Sequence, residues 1–102
     1  MRDGDADMSQ RFEHKELGMV LVLPDVDELL QRDVDAYMRE FRKQPDTNDY
    51  AGRVVRAAAA GGWIREPVMT ADIVDGMRPA IVHWMAQHVD KLYTDAITVP
   101  KG

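Results

Sequence analysis

Between Asp25 and Lys43 the apolar residues recur at steps of three and four, a period that only an amphipathic helix satisfies. Asp25 is a good N-cap, and Glu28 three residues later completes a capping box. Lys43 complements the negative end of the helix dipole. We therefore expect a helix over 25–43, with a core stripe made of Val26, Leu29, Leu30, Val34, Tyr37, Met38 and Phe41.

The stretch "VVRAAAAGGW" predicts a second helix, from Tyr50 to Ala60, capped by Asp49 or Thr47. Four alanines in a row favour a helix and leave no large side chain to hold a neighbouring helix away. We expect the run 57–60 to be a surface of close helix approach. Gly61 is predicted to end the helix in the left-handed conformation, so that Trp63 can fold back over it.

The rest of the chain predicts a hairpin and one further helix. Strands are expected at 12–14 and 19–23, and "TADIVDG" reads as a helical turn. Pro79 opens the last helix. Its apolar face comprises Ile81, Val82, Met85, Val89, Leu92, Tyr93 and Ala96. The predicted fold class is mostly α: a three-helix domain with a short N-terminal β-hairpin, its helices packed under Trp63 and Trp84.

A chain of 102 residues is long enough for one modest core. We expect a flexible acidic leader at 1–9, a single helical domain at 10–100 and a tail at 101–102. Cysteine is absent, which excludes disulfides, thiolate zinc sites and a cysteine nucleophile.

Charge and hydropathy limit the partners. The net charge of −5 would repel a phosphate backbone, so nucleic-acid binding is not expected. The longest apolar runs, of about five residues, are far shorter than the ~20 needed to span a bilayer, so no membrane segment is expected. The acidic N-terminus does not resemble a signal or transit peptide, and a cytosolic location is expected.

No catalytic or metal site is predicted. His83 and His88 are five residues apart, which is about 140° of rotation on a helix, so they would not share a face. No set of nucleophile, base and orienting acid is recognisable, and no glycine-rich phosphate loop follows a strand. We expect no enzymatic activity, no metal and no cofactor.

The arginines Arg53, Arg56 and Arg65 allow two interpretations. Arg53 and Arg56 are three apart on the second predicted helix, a spacing suited to clamping a carboxylate or phosphate between two guanidinium groups. All three would then form an anion-binding site. Alternatively, they pair with the acids of the first helix.

Aromatic residues and methionines fall mainly on the predicted core stripes. Methionine also adapts to exchangeable contacts, and the last helix carries apolar residues on more than one face. Those faces could bind a protein partner. The candidate partner-binding residues are Trp63, Trp84, Met85 and Tyr93.

Four features follow one another over residues 12–100: the order "FEH…G…VLP", an acidic amphipathic helix, "VVRAAAAGGW" and "VDGMRPAIVHWMAQHVDKLYTDAITVP". Together they resemble the tail assembly chaperones of long-tailed bacteriophages and prophages. The resemblance implies a non-enzymatic protein that binds the helical tape-measure protein through apolar surfaces in the host cytoplasm and helps to recruit tail tube subunits. Self-association into a homo-oligomer would suit that role. The resemblance assigns no role to individual residues.

Two alternatives stay open. One is a phage-encoded inhibitor or sponge that binds an anionic ligand or an acidic partner through the arginine cluster. The other is a small structural protein of the virion.

Overall fold

Three α-helices and one β-hairpin make up the described chain, which confirms the predicted fold class. The computed structural model describes residues 9–45 and 49–100. The elements are β1 (Gln10–His14), β2 (Met19–Leu23), α1 (Gln31–Lys43), α2 (Tyr50–Ala60) and α3 (Pro79–Ile97), with 3-10 turns at Val26–Glu28 and Ala71–Gly76. Most of the predicted leader, the predicted tail and the alternative cap Thr47 lie outside the described residues.

The hairpin is antiparallel and is extended by a short third segment. Phe12 lies opposite Leu21, and Gly18, at φ 65°, closes the turn. The amide of Val22 donates to the carbonyl of Glu66 at 2.9 Å, and the amide of Arg65 donates to the carbonyl of Val22 at 2.8 Å. The chain that follows Trp63 is therefore hydrogen-bonded to the edge of β2 that does not pair with β1.

The predicted continuous helix over 25–43 is wrong, because the structure divides it in two. The capping box exists, with the Asp25 amide donating to Glu28 Oε2 at 3.0 Å, but it begins only a 3-10 turn. Leu30 is extended, at φ −103° and ψ 168°, and its amide donates to Asp33 Oδ2 at 2.8 Å. This second capping interaction starts α1 at Gln31. The carboxylates of Glu28 and Asp33 thus cap two separate helical elements, although the apolar residues keep one helical period throughout.

The predicted bounds of α2 are confirmed, and Asp49 caps it by accepting a hydrogen bond from the Gly52 amide at 3.0 Å. The left-handed residue, however, is Gly62, at φ 83°, and Gly61 stays near the right-handed region at φ −82°. The Trp63 amide donates to the Ala58 carbonyl at 2.9 Å, and the Gly62 amide donates to the carbonyl of residue 59 at 3.3 Å. These two bonds form a Schellman motif, which requires the left-handed residue one position later than predicted.

The close-approach surface is narrower than the alanine run. Ala57 and Ala58 are buried, whereas Ala59 is half-buried and Ala60 is exposed, because consecutive helical residues turn away from the neighbouring elements. α2 also approaches α1 closely at Gly61, where an added Cβ would lie 3.2 Å from the Cα of Tyr37. A glycine therefore sets the spacing between the end of α2 and α1.

The core lies between the three helices and β2. Its buried members are Leu21, Leu23, Tyr37, Val54, Val55, Ala57, Ala58, Trp63, Val74, Ile81, Val82, Met85, Ala86, Val89 and Leu92. Trp63 is 1% exposed and belongs to this core, and its Nε1 donates to the Asp33 carbonyl at 3.1 Å. Trp84 is half-buried and lies towards the hairpin, edge-on to His14. Of the two tryptophans, only Trp63 is fully enclosed by the helices.

Candidate functional site

A shallow groove opens where α1, α2 and α3 meet, with a volume of about 190 Å³. We call it the aromatic groove. Its lining residues are Tyr37, Met38, Phe41, Tyr50, Asp90 and Tyr93.

Each helix contributes to the aromatic groove through its own periodicity. Tyr37 and Phe41 are four residues apart on α1, and Asp90 and Tyr93 are three apart on α3, so each pair shares one face of its helix. Tyr50 is the first residue of α2, and the Asp49 cap fixes where that helix begins. The groove therefore depends on how the three helices meet and on no single segment.

The four rings form a continuous cluster. Ring centroids are 5.5 Å apart for Tyr37 and Tyr93, 6.3 Å for Tyr37 and Phe41, and 6.1 Å for Phe41 and Tyr50. These distances are those of favourable tilted and edge-to-face aromatic pairs. Tyr37 is 3% exposed and forms the floor, whereas Tyr50 is 55% exposed and stands at the mouth. The groove thus presents ring surface from its base to its opening.

Asp90 is the one charged residue among the six that line the groove. It is half-buried, and its Oδ1 accepts a hydrogen bond from the Tyr50 hydroxyl at 2.9 Å. Partial burial of the phenol, followed by this bond and the charge of Asp90, raises the pKa of Tyr50. Burial, with a smaller contribution from Asp90, also raises the pKa of Tyr37 above its ordinary value. Both phenols therefore remain protonated, and the groove combines neutral rings with one carboxylate.

Comparison with known proteins finds no match. This holds for protein-family models, for curated proteins and for solved structures. No helix within the described ranges is both long enough and apolar enough to cross a membrane.

The three arginines do not converge on one site. Arg56 bonds to Asp75 at 2.7 Å and to Asp49 at 3.4 Å. Arg65 bonds to Glu28 at 2.7 Å and to the Ser9 hydroxyl. An anion approaching Arg56 would meet two carboxylates first. The alternative interpretation of pairing with the acids of the first predicted helix holds for Arg65, while Arg56 uses acids elsewhere.

Arg53 lies against an aromatic ring. Its guanidinium carbon is 4.4 Å from the centroid of Phe41, a cation–π distance, yet Arg53 does not line the aromatic groove. Arg53 and Arg56 therefore contact different groups: Arg53 lies on the Phe41 ring, and Arg56 bonds to two carboxylates.

The four candidate partner-binding residues occupy different places. Trp63 and Met85 are at most 1% exposed and belong to the core, so they present no surface in this conformation. Trp84 and Tyr93 are half-buried, and of the four only Tyr93 lines the aromatic groove. Sequence reasoning missed Tyr50 and Asp90 as its neighbours, because they come from different helices and only the fold brings them together.

His83 and His88 lie in different surroundings. His83 is exposed and borders a cleft of about 180 Å³ beside Arg56. His88 is half-buried and stacks on Phe12 with ring centroids 3.9 Å apart, and burial lowers its pKa. Within residues 9–45 and 49–100, no three histidine, aspartate or glutamate side chains are grouped to hold a metal ion.

Proposed function

We propose that this protein is a non-enzymatic tail assembly chaperone of a long-tailed phage or prophage, which binds the tape-measure protein in the host cytoplasm. The aromatic groove is its docking surface. The observation that carries this proposal is the exposure of ring surface at the meeting point of three helices, with Tyr50 55% exposed at its mouth. The resemblance of residues 12–100 to tail assembly chaperones supplies the identity of the partner.

The chemistry of the aromatic groove suits a reversible protein contact. Aromatic residues give large contact areas at a small entropic cost and often anchor protein interfaces. Met38 beside them adds a side chain that adapts to different shapes. A helical tape-measure segment could place anchor side chains into such a groove at three- and four-residue intervals. A chaperone that must later leave the tail needs this kind of small, adaptable surface.

The geometry favours this role over the anion sponge. That alternative requires Arg53, Arg56 and Arg65 at one site, and in the structure they contact different groups. The remaining alternative is a structural protein of the virion, which stays in the finished particle, whereas a chaperone leaves it. Mass spectrometry of purified particles separates the two, since it would detect a structural protein and no chaperone.

Coexpression with the tape-measure protein of the same phage tests the proposal. Wild-type protein should copurify with that partner and raise its soluble fraction. Tyr50→Arg places a charged side chain at the mouth of the aromatic groove and should remove both effects. Val68→Arg makes the same kind of change at a side chain that is 93% exposed and does not line the groove, and it should bind as the wild type does.

Thermal melts check that both variants remain folded, since Tyr50→Arg removes the hydrogen bond to Asp90, whereas Val68 is 93% exposed. Failure of the wild-type protein to bind the tape-measure protein would overturn the proposal. Equal binding by Tyr50→Arg and Val68→Arg would show that the partner docks elsewhere.

A further inference from the structure

We infer that the aromatic groove receives a cationic side chain of the partner, an arginine or a lysine, with Asp90 as its counter-ion. The inference rests on the proposed function only for the source of that side chain. It adds the chemical class of the anchor residue that the groove selects.

The rings provide the first part of such a site. The faces of tyrosine and phenylalanine carry negative electrostatic potential and attract cations within about 6 Å of the ring centroid. Four rings from three helices border the aromatic groove, and its floor, Tyr37, is held in place by stacking on Trp63 at 4.5 Å. A cationic side chain could enter past Tyr50 and contact several rings at once.

Asp90 decides between a cationic and an apolar occupant. An apolar side chain filling the aromatic groove would remove water from a half-buried carboxylate and return no interaction to it. The Tyr50 hydroxyl bonds to Oδ1, and within the described ranges no hydrogen bond or ion pair engages Oδ2. A guanidinium or ammonium group would supply both a charge and a hydrogen-bond donor to that oxygen.

The protein already makes one contact of this type. Arg53 places its guanidinium 4.4 Å from the Phe41 centroid, at a wall of the same ring cluster. Arg53 does not line the aromatic groove itself, although its charge acts on Tyr50 at the mouth. The net charge of −5 further favours a basic partner segment over an acidic one.

A titration followed by NMR tests the inference without the natural partner. The probes are Nα-acetyl-arginine amide and its neutral isostere Nα-acetyl-citrulline amide, at equal ionic strength. The arginine probe should shift the signals of Tyr50, Asp90 and Tyr93, with a Kd about tenfold or more below that of the citrulline probe.

Two matched pairs of variants locate the interaction. Asp90→Asn keeps an acceptor for the Tyr50 hydroxyl but removes the charge, and it should abolish the preference for arginine. Asp95→Asn removes the same charge from the same helix outside the groove and should leave the preference intact. Tyr93→Phe should retain binding of the arginine probe, whereas Tyr93→Leu, which lacks a ring, should weaken it.

The outcomes separate this inference from the proposed function. Equal affinity for the two probes, or an unchanged preference in Asp90→Asn, would overturn the cation site even if the tape-measure protein binds. A preference for arginine that depends on Asp90 would establish the site even if the tape-measure protein does not bind, in which case only the proposed function fails.

Discussion

The indole of Trp63 stacks on the phenol of Tyr37, with ring centroids 4.5 Å apart and planes inclined by 20°. Trp63 belongs to the core, whereas Tyr37 is both a core residue and the floor of the aromatic groove. The pair therefore connects the stability of the domain to the shape of its candidate binding surface. The Trp63 Nε1 bond to the Asp33 carbonyl fixes the orientation of the indole.

Truncation of Trp63 should be among the most damaging substitutions. Trp63→Ala is expected to lower the free energy of unfolding by about 3–5 kcal/mol, since it empties a fully buried site. Trp63→Phe keeps a ring but loses the bond to Asp33, and it should cost less. Urea denaturation measures both. Trp84→Ala serves as the control, because Trp84 is half-buried, and a loss equal to that of Trp63→Ala would contradict the assigned core.

The two glycines after α2 should respond differently to substitution. Gly62→Ala should lower the free energy of unfolding by about 1–2 kcal/mol, because its left-handed backbone disfavours a side chain even where space is open. Gly62→Asn should cost less, since asparagine tolerates that conformation. Gly61→Ala and Gly61→Asn should both destabilise, through contact of the new side chain with the Tyr37 backbone. Thermal melts that rank the Gly62 variants in reverse would contradict the Schellman assignment.

Enlarging a buried alanine should overpack the core. Ala58→Leu is expected to cost about 1–3 kcal/mol of unfolding free energy, because Ala58 is fully enclosed. Ala60→Leu, on the exposed face of the same helix, should change stability by no more than about 0.5 kcal/mol. Denaturant melts of the two variants suffice, and a neutral Ala58→Leu would show that α2 does not approach its neighbours closely.

Acid should weaken the contact between His88 and the hairpin. Burial lowers the pKa of His88 below its ordinary value of 6.5, so the folded state disfavours the charged imidazole. The stability that this provides is fully present above pH 6.5 and is lost as the pH falls through the lowered pKa. His88→Gln should therefore flatten the decline in unfolding free energy between about pH 7.5 and 5. An identical decline of unfolding free energy in His88→Gln would contradict a lowered pKa of His88 in the folded state.

Local signals in the sequence predicted much of the fold. The Asp49 cap and the alanine run fixed both ends of α2, and Pro79 marked the start of α3. The break before α1 was missed because the side chains of Asp25 and Asp33 each cap a separate helical element within one apolar period. Which of the two caps starts the long helix depends on the backbone conformation at Leu30, and the spacing of apolar residues carries no information about that conformation.

The candidate site was less accessible to sequence reasoning. Tyr93 was predicted as a partner contact, but Tyr50 and Asp90 are 40 residues apart and meet only when α2 packs on α3. Trp63 and Met85 were predicted as partner-binding residues, and the fold buries them. Exposure depends on which helix faces meet, so it could not be deduced from residue type.

Site-specific photocrosslinking tests the central claim, that a tape-measure segment docks in the aromatic groove, most directly. Benzoylphenylalanine replaces Tyr50 in one protein and Val68 in another, since both positions are exposed and only the first lines the groove. After coexpression with the tape-measure protein and irradiation, we predict a crosslinked product from position 50 and none from position 68. A crosslink from position 68 without one from position 50, or none from either, would contradict the account.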